Sequence, residues 1–411
     1  MLNKIFHSPK SVRFQWRIIL PVAALCIIGI LTLYSTGNHL QFTDTSMFKQ
    51  LIWLCIGGLL FLILQYIRIQ FLYETAFIFY GLLIIALLLT YLMPTISGAK
   101  RWIIMGPISF QPSEFGKLIL IFTLAKFLTD QHDVFDTKKI IINSLVLSIV
   151  PAMIVFKQPD LGTAVIYMSV VIPMLYWSGI KPFYLFIMIA PIISILTASS
   201  IASNSMIFSF WIAIIITVLF FTQPKLWTGI GILLINIGFG TLSTMLWNKL
   251  YIHQQERILT LLDPMRDPQG TGYQIIQSIT AIGSGGISGK GLGEGLQTHL
   301  RFLPVRDTDF IVSVIGEEMG FVGILSIILI AFILIYWMVN HAQVIHNKFS
   351  SLVMIGIGSM LFFHLFINMG MTVGLFPVTG LPAPFISYGG TFLLTSIIGI
   401  AISNNIISNN L

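Results

Sequence analysis

The stretch RIILPVAALCIIGILTLYST, residues 17–36, holds a single charge, at its first position, in twenty residues. A helix of that length is about 30 Å long, the thickness of a bilayer's hydrocarbon core. Only internal hydrogen bonding satisfies backbone groups there, so such a run reads as a membrane-crossing helix. It exceeds the roughly 7–15 residues of a signal-peptide h-region and lacks a clear small-residue cleavage site, so it is expected to remain as a span. Working outward, eleven further runs share its character: 49–67, 71–93, 114–129, 140–156, 161–178, 183–200, 206–222, 226–247, 310–338, 351–376 and 386–407. Of the 411 residues, 56% are hydrophobic and 9% charged, outside the range of soluble globular chains. The expected fold is all-α, a polytopic membrane bundle of about twelve helices in a single domain, 1–411.

The formal net charge of +7 raises the question of nucleic acid. The basic residues are scattered among apolar runs, however, so lipid headgroups are the better partner and no nucleic acid is expected. Cys26 and Cys55 both lie in apolar runs and suggest neither a disulfide framework nor a thiolate metal site. The N-terminal end carries Lys4, Lys10, Arg13 and Arg17, which puts it in the cytoplasm. Counting spans from there places Arg68, Lys138, Lys139, Lys181, Lys225, Lys348 and the C-terminus inside as well. It places 98–102, 157–160, 377–384 and the stretch 249–309 outside.

That last stretch, roughly sixty residues long, carries six basic and six acidic residues of the chain's 37 charges, with two Asp-Pro pairs and a glycine-rich tract. A connector between spans rarely needs so much charge and turn chemistry, so 249–309 is expected to be a large extracytoplasmic catalytic loop. Asp263 and Asp267 precede prolines and could each start a turn; beside arginines and glycines, either could instead act as a general base or hold a divalent cation. The tract GSGGISGKGLGEG, 283–295, lacks the ending of a P-loop. It reads as a hinge, or as backbone that lets pyrophosphate oxygens approach. Tyr273, Ile275, Ile276 and Ile279 form an amphipathic stretch suited to the interface plane.

Charges at membrane depth are the second signal. Glu114 and Lys117 stand at i, i+3, on one helix face, either as part of an active cavity or as a salt bridge that neutralises both. Asp160 follows Pro159 before an apolar run, a good N-cap position. Glu317 and Glu318 fall about two turns into the tenth run, costly unless they face a cavity or a partner. His364 and Asn368, at i, i+4, are explained by interhelical hydrogen bonding.

Taken together, the strings GAKRWI (98–103), GPISFQPSEFGKL (106–118), KQPDLGTA (157–164), LLDPMRDPQGTGYQIIQS (261–278), AIGSGG (281–286), GKGLGEG (289–295), FLPVRDTDFI (302–311), IGEEMG (315–320) and INMGMTVGLFPVTGLPAPFISYGG (367–390) resemble the SEDS family of shape, elongation, division and sporulation proteins (RodA, FtsW, SpoVE). The IIQS and RDTDFI wording is nearer its RodA branch. The resemblance implies a peptidoglycan glycosyltransferase that polymerises lipid II at the outer face of the bacterial cytoplasmic membrane, for elongation and shape. The division-specific role of the FtsW branch is the alternative within the family. It implies Asp267 of the DPxGxGYQ string as the essential acid. Glu114 and Lys117, Arg101 with Trp102, and Asp160 are implied as residues of the active cavity. Arg101, Lys117 and loop arginines such as Arg301 or Arg306 are candidates for the pyrophosphate. A divalent cation, Mg2+ or Mn2+, is compatible with Asp267, and no organic cofactor is called for. The implied partners are a class B penicillin-binding protein, which supplies the transpeptidase, and other membrane proteins of the elongation complex. Family members usually have ten spans. The surplus pair here lies between DLGTA and QQERI, an even number that leaves the large loop outside. Thr391 in ISYGGTF replaces a serine frequent in the family but keeps a hydroxyl. A lipid II flippase or other transporter is the rival class, and a non-catalytic scaffold the third.

Overall fold

In a computed structural model of the chain, the described residues are 13–37, 41–95, 100–105, 108–131, 136–198, 205–249, 255, 259, 263–268, 270, 272–300 and 302–410. They fall into two compact units: Met1–Ser178 with Gln274–Leu411, and Gly179–Tyr273.

Each of the twelve apolar runs forms helix. In the first unit these are α1 Trp16–Thr36, α2 Ser46–Leu64, α3 Ile69–Leu89, α4 Pro112–Gln131, α5 Thr137–Lys157, and the broken pair α6 Leu161–Ser169 and α7 Val171–Trp177. The second unit holds α8 Pro182–Ala198, α9 Ser205–Thr222 and α10 Leu226–Lys249. The chain then continues through α11 Tyr273–Gly285, α12 Leu296–His299, α13 Ile311–Glu318, α14 Gly320–Val344, α15 Lys348–Thr372 and α16 Gly390–Asn410. Among the described residues, eight helices are long and apolar enough to cross a membrane and three more runs, 161–177, 182–198 and 206–222, are apolar but shorter. Helix α4 carries Glu114, Lys117, Lys126 and Asp130 within its twenty residues. Side-chain caps fix several starts: Thr45 accepts from the Phe48 N–H at 3.2 Å, Asp160 from Thr163 at 3.2 Å and Asn347 from Ser350 at 3.0 Å.

In the first unit, α15 and α16 are buried over 72% and 78% of their apolar windows, whereas α2 and α3 are buried over only 17% and 22%. The central helices can therefore carry polar side chains that meet one another. The outer ones expose residues such as Leu59, Ile78 and Phe332, which are stable only against lipid. In the second unit, Ala190, Ile215, Leu219 and Ile232 make a small core. Trp211 Nε1 donates to Ser194 Oγ at 2.9 Å and Ser194 donates to Asn236 Oδ1 at 2.7 Å, a network linking α8, α9 and α10.

Two features depart from the sequence reading. First, the run 310–338 is two helices. Gly320 takes φ +67°, and a Cβ there would lie 2.3 Å from the Gly289 nitrogen, so α13 ends before α14 begins. Glu317 and Glu318 thus close a short separate helix and do not belong to the long apolar helix that follows. Second, the glycine tract 283–295 is neither a loose hinge nor an open anion cradle. It clasps the α13–α14 junction. Lys290 and Gly291 donate their backbone N–H groups to the Glu317 and Glu318 carbonyls, both at 3.0 Å, and Phe321 and Val322 donate back to Gly286 and Ile287 at 2.9 and 3.1 Å. Gly289, at φ +80°, lies so close that a Cβ would sit 2.1 Å from the Glu318 carbonyl oxygen. Its closely approaching backbone meets protein carbonyls.

The Glu317 carboxylate locks this clasp. Its oxygens accept from Lys290 Nζ (2.9 Å), the Gln297 N–H (2.9 Å), the Thr298 N–H (3.0 Å) and the Thr298 hydroxyl (2.8 Å). Burial pushes the carboxyl up, but the donors from Gln297, Lys290 and Thr298 outweigh it and hold it below the usual carboxylate range. Its folded pKa is therefore below the unfolded value of about 4.3. The stabilisation is complete above that value and is lost as pH falls through the folded pKa. Replacing Glu317 by glutamine is expected to destabilise the protein by about 1.5–3 kcal/mol. It should also remove this acid-dependent step from thermal unfolding measured across pH in detergent; an unchanged acid profile would refute the assignment.

Candidate active site

Helix α4 is entered from an antiparallel hairpin, β1 Ile103–Met105 and β2 Ile108–Phe110, with Ile103 opposite Phe110. The pairing of Ile103 with Phe110 brings the residues before β1, Arg101 and Trp102, back beside Gln111 at the start of the helix, where Arg101 and Gln111 meet the same Asp160 oxygen. Arg101 Nε donates to the Gln158 carbonyl at 3.0 Å, a second guanidinium N–H reaches the Pro159 carbonyl, and Nη1 stands 4.0 Å from Asp160 Oδ2. Asp160 caps α6 as its sequence position predicts, and its other oxygen accepts from Gln111 Nε2 at 3.2 Å. The cap and the contact to Arg101 coexist on one carboxylate. Trp102 is half-buried beside Arg101.

One turn into α4, Glu114 and Lys117 are both buried, and Lys117 Nζ donates to Glu114 Oε2 at 2.8 Å. His364 Nε2 of α15 lies 2.9 Å from the same ammonium. The interhelical bond expected for His364 is thus present, and its partner, which the sequence does not name, is Lys117. A lone histidine in an apolar run, sharing a face with Asn368, is the signal that was available. Asn368 itself donates to the backbone carbonyls of Asp309 (2.9 Å) and Leu381 (2.7 Å). Nearby, Tyr167 donates to the Ser113 carbonyl at 3.0 Å.

The strings RDTDF and PFISYGG are bound to each other. Tyr388 donates its N–H to the Asp307 carbonyl at 2.9 Å, Ser387 its hydroxyl to the Thr308 carbonyl at 2.6 Å, and Gln50 of α2 reaches the Ser387 carbonyl at 3.0 Å. Arg306, a candidate for pyrophosphate, donates to the Thr36 carbonyl at 2.9 Å and to the Thr298 carbonyl, and lies 3.8 Å from Asp307. Those bonds make it a tie between α1, α12 and the string. Arg301 lies outside the described residues. Burial pushes the Asp309 carboxyl up, against a lowering bond from Thr308.

Asp267 and Asp263 belong to the second unit. Asp263 is exposed; its Oδ1 accepts from the Met265 N–H at 3.2 Å, and its Oδ2 lies 3.8 Å from Arg266. This is the turn-starting role predicted for it. Asp267 is half-buried and sits at the centre of a tight turn. Its Oδ1 accepts from the Gly270 N–H at 3.0 Å, and its backbone carbonyl accepts from Gly270 and Gly272 at 3.3 and 3.1 Å. Both glycines are required by space. A Cβ on Gly270 would lie 2.2 Å from Asp267 Oδ2, and one on Gly272 2.2 Å from the Pro264 carbonyl oxygen. Gly270→Ala is therefore expected to swing the carboxylate out of its place and lower activity by at least about tenfold, while Gly272→Ala disturbs the turn backbone itself. Steady-state rates of the two variants against their thermal stability check this, and an unimpaired Gly270→Ala would contradict it.

Among the described residues no group of three or more His, Cys, Asp or Glu side chains is arranged to hold a metal ion. Asp267 offers a single carboxylate, which suits an ion such as Mg2+ that keeps several waters and shares its shell with substrate phosphates.

A family model described as cell cycle protein, FtsW/RodA/SpoVE, matches residues 15–211 and 203–410. The peptidoglycan glycosyltransferase RodA of Treponema pallidum (strain Nichols) is 31% identical over 94% of this chain and 95% of its own. The probable peptidoglycan glycosyltransferase FtsW of Trichlorobacter lovleyi is 32% identical over 98% of this chain and 96% of its own. A solved chain from a peptidoglycan synthase complex, described as coordinating polymerisation and crosslinking, superposes with a TM-score of 0.72 at 26% identity, covering 97% of this chain and 99% of that one.

Proposed function

Since this chain belongs to the FtsW/RodA/SpoVE family of cell cycle proteins, we propose that it is a multi-pass membrane peptidoglycan glycosyltransferase that polymerises lipid II into glycan strands. The reaction runs at the outer face of the bacterial cytoplasmic membrane, with 249–309 as the catalytic loop within one SEDS membrane domain. The observation that carries the assignment is the Asp267 turn: a half-buried carboxylate held by the Gly270 amide, in a turn whose glycines leave it room.

Lipid II carries its sugar on undecaprenyl pyrophosphate. Polymerisation requires a sugar hydroxyl to lose its proton while the pyrophosphate leaves. Asp267 is the general base for that hydroxyl. The bond from Gly270 orients the carboxylate without neutralising it. A bound divalent cation would be held by Asp267 together with the pyrophosphate, and would neutralise the leaving group. Arg101 is held at the start of α6 by its hydrogen bonds to the Gln158 and Pro159 carbonyls and its ion pair with Asp160, and is the cation we assign to the pyrophosphate. An α-linked donor and a β-linked product fit a single displacement with inversion. The peptidoglycan synthase complex among its structural neighbours supports a class B penicillin-binding protein as partner. The nearer wording of RodA supports elongation and cell shape over division.

The test is polymerisation of labelled lipid II by purified protein with that partner, read as a ladder of glycan lengths on a gel. A transporter would move lipid II between leaflets of a vesicle and lengthen nothing. Translocation without polymer would replace this reading with the flippase. Partner binding with neither activity would leave only a scaffold.

A further inference from the structure

Lys117 is closed in on several sides. Its ammonium donates to Glu114 Oε2 at 2.8 Å, lies 2.9 Å from His364 Nε2, and stands 5.0 Å from the centroid of the Phe392 ring. The His364 imidazole in turn stacks on Phe392, with centroids 4.4 Å apart. His364 is 0% exposed and Lys117 2%.

An ammonium has three donors and no lone pair. The ring nitrogen 2.9 Å away is therefore the acceptor, which makes His364 neutral and puts its proton on Nδ1. The Pro382 backbone carbonyl is the polar neighbour of the ring on its other side, but among the described residues no group completes a hydrogen bond of good geometry to the buried Nδ1. The charged groups around it are Lys117 and, beyond it, Glu114, both from α4; α16 contributes the uncharged Phe392. A protonated imidazole here would place two cations in contact away from water, so Lys117 and His364 carry one positive charge between them.

We infer that His364 is a positioning residue of the polymerase, holding the Lys117 ammonium against Glu114 by accepting a hydrogen bond through Nε2. The inference rests on the glycosyltransferase reading above. A lysine on its four-carbon stem has several rotamers. Two acceptors and an aromatic face reduce them to one, and they aim the charge at Glu114 and not at a diffusible anion. The consequence reaches Asp160 and Arg101 through α4. Gln111, three residues before Glu114, donates to Asp160 Oδ2, and Asp160 faces Arg101. His364 thus anchors, from α15, the turn of α4 that sets Arg101.

Two variants and one spectrum decide it. His364→Gln places an amide oxygen within reach of Lys117 and is expected to polymerise lipid II within about threefold of wild type. His364→Leu has no acceptor and is expected to lose at least tenfold in kcat. If the leucine variant does not fold, His364→Asn, whose amide stops short of Lys117, takes its place. The 15N spectrum of the His364 ring in the wild-type protein at neutral pH is expected to show the proton on Nδ1 and Nε2 as the hydrogen-bond acceptor. Wild-type rates in the leucine or asparagine variant, a glutamine variant as impaired as leucine, or a ring carrying its proton on Nε2 would each overturn the inference. Absence of polymer from wild-type protein would instead remove the glycosyltransferase reading, and the ring spectrum would still decide the contact.

Discussion

Asp267→Asn is expected to produce no detectable glycan ladder from lipid II, a loss of about 10³-fold in rate. The substitution isolates chemistry from structure. An asparagine carbonyl can still accept the Gly270 N–H that Asp267 Oδ1 accepts at 3.0 Å, and the two side chains are nearly the same size, so the turn should persist. What disappears is the negative charge and the capacity to take a proton from the acceptor hydroxyl. Asp263→Asn is the matched control. Asp263 is exposed and its Oδ1 caps the Met265 N–H, a role asparagine fills equally well. Its rate is expected to stay within about twofold of wild type. The two carboxylates stand four residues apart in the same string, so the contrast also decides which of them the chemistry uses. Full polymerisation by Asp267→Asn, or equal losses at both positions, would sink the assignment of Asp267 as base. A binding measurement with the transpeptidase partner should give the same affinity for both variants.

Much of this molecule was legible in its sequence because membranes impose few solutions. Twenty apolar residues such as 17–36 have one way to satisfy their backbone in lipid, and all twelve runs read in this way formed helix. Where the reading went wrong, local hydrophobicity was blind to the deciding contact. The run 310–338 is apolar on both sides of Gly320, and only the approach of Gly289 from the glycine tract forces the break. The tract itself looked free because its partner, the backbone of Glu317 and Glu318, is recognisable only in three dimensions. Arg306 showed the same limit: its charge is visible in the sequence, but its commitment to the Thr36 and Thr298 carbonyls is not. Asp160 is legible both as a cap and as a residue of the site, and one carboxylate has enough lone pairs for both. The DPxGxGYQ wording marks Asp267 in the sequence. The structure adds the reason for its two glycines, which give the carboxylate and the turn backbone the space they occupy.

Neutralising one partner of the Glu114–Lys117 pair is expected to be far more damaging than neutralising both. The two charges are almost wholly buried and 2.8 Å apart. Glu114→Gln leaves the Lys117 ammonium against a neutral amide and His364; Lys117→Met leaves the Glu114 carboxylate without its cation. Each single variant is expected to lose about 3–5 kcal/mol of stability, because an uncompensated charge remains where water cannot reach it. The double variant Glu114→Gln/Lys117→Met contains neither charge. It should recover most of that loss, giving a coupling energy of several kcal/mol in the cycle. Recovery of the fold need not bring recovery of the reaction. If the pair only neutralises itself, the double variant polymerises lipid II as wild type does. If it sets the α4 turn that carries Gln111 toward Asp160 and Arg101, the double variant is stable and slow, and that is the expected result. Thermal unfolding in detergent and single-turnover polymerisation on the same four proteins separate the outcomes. A double variant as unstable as either single one would show that the neighbours of the pair, and not the charge imbalance, set the cost.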